Sequence, residues 1–101
     1  MYSVCYQHNL KPGKTLQDFR KWLKQYWQMQ QSWGATQVKL HEHHKDNHAV
    51  IHCEYYVNNI KNWTMHAIGT NTEKWLQDLE AISDIQSITI MPNKPMKHHT
   101  A

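Results

Sequence analysis

His41-Glu42-His43-His44-Lys45-Asp46-Asn47-His48-Ala49-Val50-Ile51-His52-Cys53-Glu54-Tyr55-Tyr56 reads as one β-hairpin, and its register decides the fold. Val38 and Leu40 form the apolar side of the first strand. Ile51, Cys53 and Tyr55 form the apolar side of the second. Both sets belong against the same core, so odd residues of one strand must share a face with even residues of the other. A two-residue turn at Asp46-Asn47, with Lys45 opposite His48, meets that condition. Asp and Asn also tolerate the positive φ that such turns demand. An odd-length loop would set Leu40 beside His52 and mix the faces.

The other face then carries Lys39, His41, His43, Val50, His52, Glu54 and Tyr56. His41 lies directly across from His52, His43 is diagonal to it, and Lys39 faces Glu54. Cross-strand neighbours have Cβ atoms about 5 Å apart, a spacing that can suit two imidazoles on one metal. His41, His43 and His52 are therefore candidate transition-metal ligands, with Glu54 as a fourth or supporting group. A solvated or partner-covered polar face explains the same residues without a metal. The sequence adds no HExxH or CxxC motif to strengthen the metal reading. His44 and His48 flank the turn and are expected in solvent.

Outward from the hairpin, residues 2–9 alternate as a strand: Tyr2, Val4 and Tyr6 against Ser3, Cys5 and Gln7. Lys11-Pro12-Gly13-Lys14 is turn chemistry. Thr15 with Asp18 forms a capping-box pattern ahead of a helix from Leu16 to Trp33. Its stripe is Leu16, Phe19, Leu23, Tyr26 and Trp27, widened by Trp22, Met29 and Trp33, and Gly34 is a plausible stop. The hairpin strands span 36–44 and 49–57. Asn58 or Asn59 can cap a short helix bearing Ile60, Trp63, Ala67 and Ile68, ended by Gly69. A second helical piece starts near Asn71-Thr72 and presents Trp75, Leu76, Leu79 and Ile82. Residues 85–91 form the last strand, and Pro92 and Pro95 close the ordered part. The order β-α-β-β-α-β predicts a ferredoxin-like α+β domain over residues 1–92, with a mobile tail at 93–101. Four antiparallel strands would carry helices on one face, leaving the other for solvent, ligand or a second chain.

Composition narrows the function. One hundred and one residues make one domain with a modest core. Five Trp and five Tyr against one Phe supply large side chains that suit cores, pockets and interfaces. The net charge is +3, and ten of the eleven cations are Lys, with Arg20 the single Arg. No basic block suggests nucleic acid. The RNA-recognition fold shares this topology, but His48-Ala49-Val50-Ile51-His52-Cys53-Glu54-Tyr55 lacks its Gly and aromatic signature. Cys5 and Cys53 read as small apolar residues rather than a disulfide. No apolar run reaches membrane-spanning length and no signal-peptide pattern opens the chain, so the default expectation is a soluble cytoplasmic protein.

The element order, the length and the broken second helical region resemble the dimeric α+β barrel superfamily, which includes the antibiotic-biosynthesis and haem-degrading monooxygenases. The resemblance covers about residues 2–92. It implies a homodimer whose sheets pack face to face and a small-molecule pocket between each sheet and its helices. It also implies a cofactor-independent monooxygenase-like activity on an aromatic or quinol-type substrate. Such a site needs an apolar cavity, a hydrogen-bond donor and a base. By this resemblance Asn9, Trp63 and His66 are the catalytic candidates, and Tyr6, His8 and Tyr56 the ligand-binding ones. The haem-degrading branch pairs an Asn late in the first strand and a Trp in the second helical region with a His about ten residues later. Here the position ten beyond Trp63 is Glu73, and the nearest His is His66. No cofactor is the first expectation, with haem or a transition metal as alternatives. Trp63 also sits at helical spacing from Ile60 and Ala67, which fits plain core packing. A non-enzymatic ligand- or metal-binding module built on the histidine hairpin is the other reading.

Overall fold

The computed structural model describes residues 1–69 and 72–92. The expected tail at 93–101 and the start of the last helical piece at Asn71 lie outside them. The chain forms β1 (Tyr2–Leu10), α1 (Leu16–Ser32), β2 (Ala35–Lys45), β3 (His48–Val57), α2 (Ile60–Trp63), α3 (Lys74–Glu80) and β4 (Ser83–Pro92). All strand pairs are antiparallel, in the order β2-β3-β1-β4. This is the ferredoxin-like arrangement, with the helices on one side of the sheet.

The hairpin register is the one its faces demand. Lys45 pairs with His48, His41 with His52, Lys39 with Glu54 and Val38 with Tyr55. Asp46 and Asn47 have φ of 51° and 66°, so both turn residues occupy the left-handed region. Across the neighbouring strand, Val4 meets Tyr55, Tyr6 meets Cys53 and His8 meets Ile51. Opposed residues share a face. Val4, Tyr6 and His8 therefore join the apolar side of the hairpin, under the helices. Cys5 pairs with Glu54 on the outer face while Cys53 points inward, so the two free thiols lie on opposite sides of the sheet.

Strand β4 differs from a plain alternating strand. Tyr6 pairs with Ile88 and Val4 with Ile90, but His8 pairs with Ile85 because the register shifts between Gln7 and His8. The bulge turns an odd residue and two even ones to the same side. Ile85, Ile88 and Ile90 thus all face the helix side, at the sheet's open edge, and each stays partly exposed.

Helix α1 starts where the capping box requires. The Asp18 amide donates to Thr15 Oγ1 at 3.3 Å, and the Thr15 amide donates to Asp18 Oδ2 at 2.8 Å. Its buried face carries Phe19, Trp22, Leu23 and Gln30. The helix ends at Gly34, whose φ is +116° and whose carbonyl accepts the Asn58 amide at 3.0 Å. A Cβ at Gly34 would lie 3.1 Å from Asn58 Oδ1 and 3.3 Å from the Asn59 amide nitrogen. Gly34→Ala should therefore cost about 1–3 kcal/mol, read as a lower urea midpoint with an unchanged slope.

The short helix after β3 is more irregular than its spacing suggests. Asn59 caps it, accepting the Asn62 amide at 3.1 Å. After Trp63 it widens into a π-helical turn over Thr64–Ile68, closed by the Gly69 amide donating to the Thr64 carbonyl at 3.1 Å. That insertion holds Trp63 inward and Ala67 beside it, while Thr64, Met65 and His66 stay exposed. No helix among the described residues is long and apolar enough to cross a membrane.

Candidate functional site

The sheet's inner face and the helices enclose a pocket built largely from aromatic rings. Strand β1 contributes Tyr6 and His8, and β3 contributes Tyr55. Helix α1 supplies Trp22 and Gln30, with Trp33 at its C-terminal cap. Trp63 comes from α2, Trp75 and Leu79 from α3, and Ile85 from the open edge. The cavity among these side chains is small, about 20 Å³. A cavity of that size holds a water or two. A planar ring can enter only if a wall side chain swings aside.

The rings are tightly mutually packed. Tyr55 and Trp63 centroids lie 4.7 Å apart, and Trp33 makes an edge contact with Trp75 at 5.2 Å. Tyr6 stacks on His8 at 5.7 Å and meets Tyr55 edge-on at 5.6 Å. Such contacts fix ring orientation as well as burying area.

The polar tips are nearly all engaged. Trp63 Nε1 donates to the Tyr6 hydroxyl at 3.2 Å, and Gln30 Nε2 donates to the Tyr55 hydroxyl at 2.9 Å. Trp22 Nε1 donates to the Trp75 carbonyl at 2.9 Å. His8 Nδ1 lies 3.2 Å from Ser83 Oγ, which in turn points to the Leu79 carbonyl at 3.5 Å. With the Ser83 proton on Leu79, His8 donates from Nδ1 and its Nε2 carries the lone pair. Among the described residues, two buried side-chain polar atoms have no hydrogen-bond partner: Gln30 Oε1 and Trp75 Nε1. Rotating the Gln30 amide would set its carbonyl against Tyr55 and leave both N–H groups without a partner, whereas this orientation leaves the carbonyl and one N–H.

Burial sets the protonation states. Among the described residues, no Asp, Glu, Lys or Arg lines the pocket. Loss of solvent pushes Tyr6 and Tyr55 well above the usual phenol range, so both keep their protons. The same desolvation lowers His8 to about 4, leaving a neutral imidazole at pH 7. The pocket is therefore uncharged, with hydroxyl and indole donors and one basic nitrogen.

Of the residues the sequence singles out, Tyr6, His8 and Trp63 meet here. His66 stands outside, exposed on the π turn. Its ring stacks on Trp33 at 5.8 Å and its Nδ1 donates to the Asn62 carbonyl at 3.0 Å. Asn9 pairs with Val50 on the outer face and borders an open cleft with Lys11, Gly13 and His44, so it is not near Trp63. Tyr56 is also on the outer face, where the Lys39 ammonium lies 5.1 Å from its ring centroid. A hydrogen bond to Tyr56 raises the Lys39 pKa.

The outer face gathers the three hairpin histidines as register requires. His43 and His52 stack at 4.8 Å, and His41 lies 6.1 Å from His43 and 6.4 Å from His52. Partial burial lowers the His52 pKa, and the charges of His43 and His41 lower it further. Among the described residues, no three His, Cys, Asp or Glu side chains are placed to share a metal ion. Haem does not fit the inner pocket as it stands: a porphyrin is far larger than the free space, and His66 is turned away from it.

Gln30 is a pocket group that the sequence reading did not name. Gln30 is a polar residue on a buried helical stripe, seven residues after Leu23 and three before Trp33. That placement was the available signal.

No protein-family model matches the chain, and no curated protein matches it by sequence. Two solved structures are similar in fold. One is SnoaB, a cofactor-independent oxygenase from Streptomyces nogalater, with a TM-score of 0.62 at 11% identity over 94% of each chain. The other is a dimeric ferredoxin-like protein from an uncultured marine organism. Its TM-score is 0.57 at 6% identity, covering 94% of this chain and 96% of that one. These likenesses establish the fold, a ferredoxin-like α+β domain.

Proposed function

We propose that the chain is a small-molecule enzyme of the cofactor-independent oxygenase kind, which holds a planar aromatic or quinol-type substrate in the inner pocket. The observation that carries this reading is an uncharged, aromatic-walled cavity with two unpartnered buried polar atoms and a neutral His8. The likeness to SnoaB agrees with it.

In this reading the aromatic walls sandwich the substrate ring and keep bulk water out. His8 accepts the proton of a substrate hydroxyl. The Tyr6 hydroxyl, held by Trp63, and the Trp75 N–H donate to the oxygen on which negative charge develops. An electron-rich anion formed in this way can react with oxygen without a metal or flavin.

Magnitudes constrain the substrate. Moving a proton from a simple phenol near 10 to His8 near 4 costs about 8 kcal/mol, at about 1.4 kcal/mol per pKa unit. Attraction within the resulting ion pair at ~4 Å returns about 4 kcal/mol at an effective dielectric of 20. The remaining deficit favours hydroxyls whose anion is delocalised, such as those of quinols conjugated to a carbonyl. Oxygen uptake by chelator-treated protein, free of flavin and haem, tests this directly. Uptake is expected with conjugated quinols and weak or absent with simple phenols. No uptake across a broad quinol panel would reject the enzyme reading.

The same proposal pairs two copies through their outer sheet faces, as in a closed barrel. The similar ferredoxin-like protein from an uncultured marine organism is dimeric, which supports it. Such burial would enclose His41, His43 and His52 beside the same residues of the second copy, with Lys39 adding like charge and Glu54 opposing it. Protonating His52 there would then oppose association. The dimer is expected to weaken below about pH 6. Equal dimer content by sedimentation at about pH 5.5 and pH 8 would contradict that expectation.

A further inference from the structure

We propose that Gln30 and Trp75 select the ligand, and that it is an uncharged molecule bearing both a hydroxyl and a carbonyl. This rests on the inner pocket being the ligand site. Gln30 Oε1 can only accept a hydrogen bond, and Trp75 Nε1 can only donate one. Both atoms are buried and both lack a partner, although the residues that carry them line the same cavity. Gln30 is 2% exposed and Trp75 5%. Orphaned groups at that depth are costly, and native chains leave few of them.

The two atoms have opposite hydrogen-bonding senses. A ligand that satisfies both must donate at one point and accept at another. A water can do this in the empty pocket, and the free space is enough for one. A hydroxyl and a carbonyl on one ligand would replace that water group for group. Anions are excluded for a separate reason. No cation among the described residues lines the pocket, and the imidazole of His8 is neutral, so a carboxylate would enter without a counter-charge. The Trp22 indole holds the Trp75 backbone carbonyl, which leaves the Trp75 ring N–H as the free donor on that wall.

Calorimetric titration with three probes separates the parts of this proposal. The probe 1-naphthol offers a donor, 1-tetralone offers only an acceptor, and 1-naphthoate is an anion. Gln30→Met should weaken 1-naphthol about five- to tenfold more than it weakens 1-tetralone. Trp75→Phe keeps a ring but removes the N–H, and should weaken 1-tetralone about five- to tenfold more than 1-naphthol. Wild-type protein should bind 1-naphthoate at least about a hundredfold more weakly than 1-naphthol. If Gln30→Met fails to fold, Gln30→Asn withdraws the carbonyl by one methylene and should show the same preference. Probes that bind but lose affinity equally in both variants would overturn the selection proposal and leave the pocket reading standing. Equal binding of 1-naphthoate would overturn the charge exclusion. No binding of either neutral probe would overturn the pocket reading and this proposal together.

Discussion

Trp63→Ala is expected to remove about 3–5 kcal/mol of folding stability, the range for deleting a large buried aromatic. Trp63 is 1% exposed, packs on Tyr55 and Trp33, and is the hydrogen-bond donor to Tyr6. Its loss opens a cavity where the sheet, α1 and α2 converge. A domain of this size has about 5–15 kcal/mol in total, so the loss is a large share of it and should lower the urea midpoint markedly. Trp63→Phe separates packing from hydrogen bonding. It keeps an aromatic ring but leaves the Tyr6 hydroxyl without its donor, and should cost about 1–3 kcal/mol. Urea unfolding followed by circular dichroism reads both values. A Trp63→Ala midpoint close to wild type would mean that Trp63 is not the keystone of this wall.

Stability should also fall steeply between pH 6.5 and 4, through His8. An unfolded histidine titrates near 6.5, whereas burial lowers the folded His8 to about 4. Between those values the unfolded chain binds the extra proton, so acid favours unfolding. The stabilisation is complete above about 6.5 and is lost as pH falls toward about 4, a total of about 3 kcal/mol. His52 is shifted in the same direction by desolvation and by its two histidine neighbours, and adds to the trend. Asp18 and Asp78 act elsewhere. Bonds from Thr15, and from Lys74 and Tyr26, hold their carboxyls below the usual value, so their stabilisation is lost only at still lower pH. Urea melts at pH 7.5, 5.5 and 4.5 should show the fall in wild type and a flatter profile in His8→Asn. An equally steep fall in that variant would assign the effect to other groups.

The fold was legible because the hairpin had only one register that kept Val38 and Leu40 on the side of Ile51, Cys53 and Tyr55. Its turn, Asp46-Asn47, was the right chemistry for that register, and the observed pairs agree. Thr15 and Asp18 announced the start of α1 in the same local way. The π turn after Trp63 was not legible, since a one-residue insertion leaves the spacing of Ile60, Trp63 and Ala67 nearly helical. The bulge in β4 was hidden for a related reason: Ile85, Ile88 and Ile90 look like mixed phases until the register shift aligns them.

The candidate site was half legible. Tyr6 and His8 follow from strand parity, which sets them on the face of Val4. Parity also places Asn9 on the opposite face from His8, away from Trp63, a consequence the family resemblance does not reveal. Gln30 needed three-dimensional context, because only the packed helix shows that its amide is buried against Tyr55 with one oxygen unmet.

In the proposed function, chemistry belongs to the inner pocket and not to the outer sheet face. Two tyrosines, Tyr6 inside and Tyr56 outside, allow it to be tested with one atom removed at a time. The measurement is the oxygen-dependent oxidation rate of the best quinol substrate, for wild type, Tyr6→Phe and Tyr56→Phe. The account predicts that Tyr6→Phe lowers kcat/KM by at least about tenfold, the loss of one hydrogen bond to developing charge. Tyr56→Phe should stay within about twofold of wild type, since its hydroxyl lies on the outer face and not in the pocket. A large loss in Tyr56→Phe with full activity in Tyr6→Phe would contradict it and move the site to the histidine face.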